Sequence, residues 1–313
     1  MKQVHALIEN RSVAAYLGMA VGDALGSTLE FMTPSEIKEK YGIFSEIIGG
    51  GWLKLKPGQV TDDTTMSLAL GDSILQKKGI YPHAIAQAFS DWLTEKPVDV
   101  GNTVRKGIIH YRYSGIPIVP ESDSDAGNGA CMRTLPIALS TLFQNETRIR
   151  LHSRDQTHIT HNNGISDAAT ECIIFLIQDA LLGADKFELR DKWITPLINK
   201  YPIFEYKREQ KDNPSGYIVD TIQAVFQAFL NNNSFESSLI DVVNRGGDSD
   251  TTGAILGMLA GSYYGLADIP KKWLDRLDSN IAQTCELQAR ALLTLAISND
   301  EAIRKPDYLV ANG

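Results

Sequence analysis

Apolar residues recur with the period of an α-helix, about 3.6 residues, along most of the chain, and little of the chain alternates as a β-strand does. The helical segments are 12–26, 64–77, 82–94, 131–143, 165–182, 217–230, 251–265 and 280–297. No linker, low-complexity stretch or step in composition divides them. The pattern predicts an all-α protein with a single domain over 1–313, in which 1–9 and 299–313 are loosely ordered ends.

Two longer stretches, 32–60 and 114–128, do not follow the helical pattern and are rich in Gly, Pro and Ser. Loops of this length in a compact fold are uncommon and are often functional. We therefore expect both stretches to be irregular and to lie near a functional site.

The composition excludes several classes of partner. Lys and Arg total 30 against 38 Asp and Glu, which gives a formal charge of −8 and disfavours nucleic acid and anionic membranes. Cys131, Cys172 and Cys285 are far apart and lack metal-ligand spacing, as suits a reducing compartment. The first residues lack the apolar run of a signal peptide, and no uncharged run reaches the ~18 residues of a membrane span. We expect a cytoplasmic protein with no nucleic-acid partner.

A glycine stripe occurs in two of the helical segments. "GMAVGDALG" at 18–26 and "GMLAGSYYG" at 257–265 both place glycine at four-residue spacing, which lines one helix face with small residues. Glycine in a helix costs ~1 kcal/mol relative to alanine, so the repetition needs a reason. We expect two tightly packed core helices whose close approach brings the two helix starts together.

Acidic and hydroxyl side chains gather at the starts of two predicted helical runs, 64–77 and 251–265, the second of which also carries a glycine stripe. They are Thr61, Asp62 and Asp63 in "VTDDTT", and Asp248, Asp250 and Thr251 in "GGDSDTT". Helix capping explains one such side chain at each start, but not the whole set. If the two starts meet, carboxylates crowd into one site, where they either take up protons or bind cations. Oxygen ligands without Cys or His select Mg²⁺, Mn²⁺ or Ca²⁺ rather than zinc or copper.

A third motif, "DAGNGACMR", precedes the segment 131–143. Gly127 and Gly129 flank Asn128, and free backbone N–H groups at such a position can hold an anion such as a phosphate. Arg133, one turn further on, could add a charge-assisted contact. A flexible loop with a helix cap is the alternative interpretation, and the motif alone does not decide between them.

Together these motifs resemble the ADP-ribosylglycohydrolase family, whose order they follow. The matching stretches are "GMAVGDALGSTLEFMTP", "PGQVTDDTTMSLAL", "KPVDVGNT", "GNGACMR", "ITHNNGISDAAT", "SGYIVDTIQAV" and "NRGGDSDTTGAILGMLAG". The resemblance covers about residues 10–295. It implies a single-domain orthogonal helical bundle with a central cleft that holds two divalent metal ions, Mn²⁺ or Mg²⁺.

The resemblance also implies roles for individual residues. The implied metal ligands are Thr61, Asp62, Asp63, Asp248, Asp250 and Thr251. Asp99 matches a proposed catalytic acid or base, and Glu30 matches a mobile acidic residue beside the metals that could instead act as a gate. Which of these two moves the proton, and whether the sugar ring opens, is not decided by the sequence. The implied substrate-binding residues are Asn102, Gly127, Asn128, Gly129, Met132, His158 and Tyr217.

The family removes a single ADP-ribose from a protein side chain. The nearest resemblance is to members that act on an arginine of nitrogenase iron protein, so this substrate is expected, with a monomeric enzyme that a PII-type signalling protein can hold at the membrane. An arginine-directed hydrolase of another protein, for instance in toxin immunity, is the first alternative. The second is an ADP-ribose-binding module without turnover, against which the intact Glu30 and Asp99 argue.

One stretch departs from the family pattern. Where close relatives read H-N-H-P, this chain has His161, Asn162, Asn163 and Gly164, so one histidine and one proline are missing. None of the implied metal ligands is affected. We therefore expect hydrolysis to be retained. If the departure has an effect, we expect it in the contacts that this loop makes with a substrate or partner. For His158 and His161, a cleft contact and ordinary polar packing are both open interpretations.

Overall fold

The computed structural model describes the backbone of residues 2–304 and the side chains of residues 4–300, and that part of the chain contains helices but no β-strand. The α-helices are α1 (Lys2–Gly26), α2 (Pro34–Tyr41), α3 (Asp62–Lys77), α4 (Pro82–Thr94), α5 (Asn102–Ser114), α6 (Leu135–Ser140), α7 (Glu146–Thr157), α8 (Gly164–Leu182), α9 (Lys186–Leu189), α10 (Thr195–Lys200), α11 (Ile218–Asn231), α12 (Phe235–Val243), α13 (Ser249–Tyr264), α14 (Lys271–Leu274) and α15 (Ser279–Arg304). A π-helical turn, Arg190–Ile194, joins α9 to α10. The all-α prediction is confirmed.

The element boundaries differ from the predicted ones in several places. Helix α1 begins at Lys2, in the segment expected to be loosely ordered, and α15 continues to Arg304. Met1 and residues 305–313, which that expectation also covers, lie outside the described residues. The segment 131–143 is helical only over α6. Helix α2 lies inside the stretch expected to be irregular, because its single buried residue, Ile37, gives no apolar period.

Helices α1 and α13 form the centre of the fold. A Cβ atom added at Gly22 would lie 2.0 Å from the carbonyl oxygen of Gly253, and one added at Gly257 would lie 2.0 Å from that of Gly18. The stripes therefore allow the two backbones to touch, as expected. The pair is antiparallel, however, so that the end of α1 at Gly26 meets the start of α13 at Ser249. The expectation that the two helix starts meet is wrong for this pair.

The surrounding helices cover the central pair on the remaining sides. Helices α8, α11 and α12 pack against α13, and α15 packs against α1 and α3. Residues 249–262 of α13 are buried along the whole length of that segment. Within the described residues, none of the helices combines the length and the apolarity that crossing a membrane would need.

Candidate metal centre and cleft

The start of α3 is fixed by Asp23, which projects from the last turns of α1. The carboxylate of Asp23 accepts hydrogen bonds from the backbone N–H groups of Thr61 (3.0 Å) and Thr64 (3.1 Å) and from Thr64 Oγ1 (2.6 Å). Thr61 itself makes no side-chain cap. Because Asp23 supplies the acceptor that an N-cap usually provides, Asp62 and Asp63 are not needed as caps. Capping therefore does not account for the acidic residues of this helix.

The start of α13 is fixed by two glycines and by an asparagine. Gly246 and Gly247 have φ values of 70° and 65°, and a Cβ atom at Gly247 would lie 2.1 Å from the carbonyl oxygen of Pro214. Only glycine fits this turn without strain. Asp248 follows it, with its N–H donating to Pro214 O (2.7 Å) and its Oδ2 atom accepting from Asn128 Nδ2 (2.6 Å). The turn therefore places Asp248 beside the G-N-G loop.

The two acidic helix starts meet at Asp63. Its Oδ2 atom accepts hydrogen bonds from Thr61 Oγ1 and from Thr251 Oγ1, each at 3.2 Å, whereas its Oδ1 atom is buried and has no hydrogen-bond partner among the residues that the structure describes. On the side of α13, carboxylate oxygens of Glu30, Asp248 and Asp250 all lie within 4.8 Å of one another. The structure thus brings the predicted ligands of α3 and α13 to one place, with Glu30 beside them.

The carboxylates of this cluster are destabilised as anions. Burial raises the pKa of Glu30 to about 8 and that of Asp62 to about 7, and neighbouring carboxylates add to both shifts. Burial, with further repulsion from nearby carboxylates, also holds the pKa values of Asp63 and Asp250 well above the usual range. None of these groups pairs with Lys, Arg or His in the part of the chain that the structure describes. Crowded, unpaired oxygen donors fit a hard divalent cation.

A cavity of about 690 Å³ opens beside the cluster. Predicted site residues that line it are Glu30, Asp62, Asp63, Asp99, Asn102, Gly127, Asn128, Gly129, Met132, Asp248, Asp250 and Thr251. Asp99 is half-buried, and burial raises the pKa of its carboxyl group, with a smaller contribution from Asp248. Thr61 lies behind the lining and reaches the site through its hydrogen bond to Asp63. The cleft therefore joins the implied catalytic and substrate-binding residues to the acidic cluster.

Two predicted substrate-binding residues lie outside the lining of this cavity. His158 closes the end of α7, and its Nε2 atom lies 2.9 Å from Asp167 Oδ2, as ordinary polar packing would place it. Tyr217 precedes α11 and is partly exposed at the margin. Its neighbour Gly216 does line the cavity and accepts a hydrogen bond from the N–H of Asn128 (3.0 Å). Tyr217 is therefore close to the cleft, whereas His158 is turned to another partner.

The G-N-G loop is built differently from the anion cradle considered above. The N–H of Asn128 is already used by Gly216. The ring of His161 lies under the loop, since a Cβ atom at Gly127 would be 2.9 Å from His161 Nε2. Arg133 is fully buried and donates to Gln156, so it does not supply the anion contact that the sequence left open. The position of Arg133 in the predicted helical segment 131–143 gave no indication that its side chain is buried.

At the stretch that departs from the family pattern, two asparagine side chains fix the local structure. Asn163 caps α8, with its Oδ1 atom accepting from the N–H groups of Ile165 (2.9 Å) and Ser166 (3.2 Å). Its amide nitrogen donates to Ser122 O (2.7 Å), and that of Asn162 donates to Val119 O (2.9 Å). The two amides therefore hold the loop that follows α5. His161, the histidine that this stretch retains, lines the cavity.

Local sequence patterns do not identify two residues that support the site through hydrogen bonds, Asp23 and Trp52. Asp23 supports α3, and the only signal for it is a single charged residue within the small and apolar run "GMAVGDALG". Trp52 donates through Nε1 to Glu30 Oε2 (2.5 Å). It lies in the irregular stretch 32–60, where no periodicity marks it. Both contacts are tertiary, so local patterns could not identify the partners.

The fold and the site place the protein in a class of all-α bundles in which two acidic helix starts meet at one cleft. Residues 5–302 match the ADP-ribosylglycohydrolase family, and the chain belongs to that family. The resemblance found in the sequence is thereby confirmed.

Several relatives cover most of the chain. The ADP-ribosyl-[dinitrogen reductase] glycohydrolase of Rhodospirillum rubrum is 45% identical over 289 residues, which span 92% of this chain and 97% of the relative. The ADP-ribosylarginine hydrolase Tri1 of Pseudomonas putida (strain GB-1) is 32% identical, over 86% of this chain and 74% of the relative. A solved structure described as an ADP-ribosylglycohydrolase-related protein complex matches with a TM-score of 0.82 and 32% identity, over 92% of this chain and 99% of that chain.

Proposed function

We propose that the protein is a metal-dependent hydrolase that removes ADP-ribose from an arginine side chain of nitrogenase iron protein and so reactivates it. The observation that carries the chemistry is the meeting of the two acidic helix starts at Asp63 beside the cavity. The choice of target protein rests on the 45% identity, over nearly the whole of both chains, with the dinitrogen reductase glycohydrolase.

We assign the metal site to the oxygen donors of the cluster. The proposed ligands of two Mn²⁺ or Mg²⁺ ions are Thr61, Asp62, Asp63, Asp248, Asp250 and Thr251. The fit is supported by the unpartnered Oδ1 atom of Asp63 and by the absence of Cys and His from the donor set. When bound, such ions can orient the ribose hydroxyl groups and lower the pKa of a water molecule.

The cleaved bond joins the anomeric carbon of ribose to a guanidine nitrogen, so the leaving nitrogen must gain a proton and a water must lose one. Glu30 and Asp99 both face the cavity and can carry protons. A well-placed proton-transfer group is worth ~10²–10⁴ in rate. Comparison of Glu30→Gln with Asp99→Asn assigns that role, since the proton-moving residue is the one whose loss lowers turnover by this amount.

The ADP-ribose portion is assigned to the remaining lining of the cavity. Asn102 precedes the G-N-G loop in the chain and Met132 follows it, and both residues line the cavity. Proposed contacts of the substrate are Asn102, Gly127, Asn128, Gly129 and Met132, with Tyr217 at the margin and His158 outside the lining. The contact of His158 would require it to leave Asp167, which makes it the weakest member of the set.

A second candidate function is removal of ADP-ribose from an arginine of another protein. It is favoured by the similarity to the Tri1 hydrolases, 29% identical in Serratia proteamaculans (strain 568) and 32% in Pseudomonas putida (strain GB-1). The same active site would serve both functions. A binding module without turnover is the third interpretation, and the complete set of carboxylates in the cleft argues against it.

The test is release of ADP-ribose from arginine-modified nitrogenase iron protein, with Mn²⁺ and with EDTA, beside an unrelated arginine-modified protein. Metal-dependent release that is much faster from the iron protein supports the proposal. Equal release from both proteins supports the second candidate. No release from either protein supports the binding module.

We further propose that the enzyme is a cytoplasmic monomer that a PII-type signalling protein can hold at the membrane. The spacing of Cys131, Cys172 and Cys285 supports the cytoplasmic location, and the family resemblance supports the PII-type partner. Size-exclusion chromatography with light scattering measures the oligomeric state, alone and with a PII-type protein. A dimer peak for the enzyme alone counts against the monomeric state. Absence of co-elution counts against the PII-type partner.

A further inference from the structure

A second groove, of about 760 Å³, continues outward from the cleft. The two cavities share Glu30, Phe31 and Trp52 in their linings, and the second also contains Glu36 and Glu39. We call this second cavity the outer groove. A substrate bound at the acidic cluster can therefore extend in two directions, into the cleft and along the outer groove.

The wall between the two cavities is an exposed aromatic pair. Phe31 is 67% exposed and Trp52 is 51% exposed, with ring centroids 5.4 Å apart and planes tilted by 49°. Phe31 has a φ of 63°, which is rare for a bulky residue. Its N–H donates to Gly247 O (2.8 Å), and Met32 O accepts from the N–H of Gly247 (3.0 Å). The fold thus holds an exposed ring in a strained conformation beside the reacting site, as functional sites often do.

The charges of the outer groove favour a cation. Glu36 accepts hydrogen bonds from Thr33 N (2.7 Å) and Thr33 Oγ1 (2.8 Å) through one oxygen, and Glu39 adds a second carboxylate. The one lysine of the lining, Lys40, has its Nζ atom 4.9 Å from the centre of the Tyr41 ring. Carboxylates repel a pyrophosphate, whereas aromatic faces and carboxylates together attract a guanidinium.

We propose that the outer groove is the subsite for the protein side of the substrate, where the Phe31 and Trp52 rings contact the arginine side chain and Glu36 and Glu39 attract basic residues next to it. This inference rests on the proposed function. ADP-ribose then occupies the cleft, and the two portions meet at Glu30, to which the Trp52 indole donates its hydrogen bond. The target would be an arginine within a positively charged, accessible segment.

The first test compares Phe31→Ala with Tyr113→Ala. Tyr113 is 90% exposed at the end of α5 and lines neither cavity, so it is a matched aromatic control. We expect Phe31→Ala to raise the KM for an ADP-ribosylated arginine peptide by about fivefold to tenfold, the range of a cation–π contact. The Kd for free ADP-ribose should stay within about twofold of wild type, as expected for a ligand that does not use this contact.

Two results of this test overturn the inference. An unchanged KM for the peptide would show that Phe31 does not contact the protein side. A parallel weakening of ADP-ribose binding would place the aromatic pair on the ADP-ribose side instead. Tyr113→Ala should match wild type in both measurements, and circular dichroism melting checks that each variant is folded.

A second test does not depend on turnover, so it separates this inference from the proposed function. Calorimetry measures the Kd of an unmodified basic peptide with a central arginine for wild type, Phe31→Ala and Glu39→Gln. Weaker binding by both variants, with strong salt dependence in wild type, supports the subsite even if no ADP-ribose is released from arginine. Equal binding by all three proteins, or no binding by wild type, overturns it.

Discussion

Arg133 and Asp63 are both buried charged side chains, but their polar atoms have different surroundings. The Arg133 guanidinium donates to Gln156 Oε1 (2.9 Å), Gln156 O (3.0 Å) and Thr160 Oγ1 (2.8 Å). Its Cζ atom lies 4.5 Å from the centre of the Phe89 ring. Asp63 accepts hydrogen bonds through one oxygen, whereas Oδ1 is buried without a partner among the described residues.

This difference distinguishes a charge that supports the fold from one that needs a ligand. Burial lowers the pKa of Arg133 to about 9 and holds that of Asp63 well above its usual range, so both groups are costly in their charged forms. The protein offsets the cost at Arg133 with its own acceptors. At Asp63 the nearest charged groups are further carboxylates, which increase the cost. A cation from solution is the partner that would lower it.

The largest effect is expected from Asp250→Asn, which removes one charge of the cluster with little change in shape. Turnover should fall by at least about 100-fold, because metal ions supply several kcal/mol of transition-state stabilisation. The rise in melting temperature caused by Mn²⁺ should shrink, since a ligand of the folded state stabilises it. In EDTA the variant should be as stable as wild type or more stable, because repulsion is reduced.

Turnover assays and Mn²⁺ titrations of the melting temperature check this prediction. Asp268→Asn is the matched control, because Asp268 accepts a hydrogen bond from the N–H of Phe235 (2.8 Å) and lies outside the cleft lining. The control should keep the full metal response. Normal turnover by Asp250→Asn would remove Asp250 from the proposed ligand set.

The sequence revealed the acidic cluster because its members belong to two local motifs at helix starts. It could not reveal Asp23 or Trp52, whose partners Thr61 and Glu30 are 38 and 22 residues away in the chain. The role of Arg133 was misjudged for the same reason. Its place after the G-N-G motif suggested a contact with an anion, whereas its burial depends on contacts with α4 and α7.

The same limit applies to the fold. Helices α1, α3, α8 and α13 bury many residues and were recognised from their apolar or small residues. Helix α5 was missed, since only Val104, Gly107 and Ile108 are buried in it. Helix ends depend on caps and on tertiary contacts, which explains why boundaries were less accurate than the presence of the main helices.

Arg133→Met tests the other member of the comparison. The substitution leaves Gln156 and Thr160 without their donor, so we expect a loss of about 1–3 kcal/mol in the free energy of unfolding. The stabilisation by Mn²⁺ should remain, since Arg133 does not line the cleft. Denaturant unfolding with and without metal measures both quantities. Loss of the metal response with normal stability would show that Arg133 belongs to the metal centre.

The two kinds of buried charge should also differ in their pH dependence. Glu30 and Asp62 have folded-state pKa values raised to about 8 and about 7, so the folded protein binds more protons than the unfolded chain above about pH 4. Stability in EDTA should therefore fall as the pH rises through these values. Arg133, with a pKa of about 9, stays protonated over most of this range.

Melting curves from about pH 5.5 to about pH 8.5 measure this dependence. The rise in melting temperature caused by Mn²⁺ should become larger over the same pH range, because metal binding needs deprotonated carboxylates. In EDTA, Glu30→Gln should reduce the decrease of the melting temperature with rising pH. Arg133→Met should leave the slope of melting temperature against pH unchanged. A melting temperature in EDTA that rises across this range would contradict the assignment of raised carboxyl pKa values.

The smallest change in stability is expected for substitution of Asp23, which shares one feature with Arg133 and one with the acidic cluster. Like the polar atoms of Arg133, the carboxylate oxygens of Asp23 have hydrogen-bond partners within the protein, at the start of α3. As in the acidic cluster, however, burial raises the pKa of Asp23, to about 6. Asp23→Ala should cost about 1–2 kcal/mol through loss of the cap when Mn²⁺ is bound, and less in EDTA, where relief of repulsion offsets part of the loss. Asp23→Asn, which keeps an acceptor oxygen, is the control and should cost less in both conditions. An equal loss in EDTA and in Mn²⁺ would show that Asp23 acts on the fold alone, without coupling to the cluster.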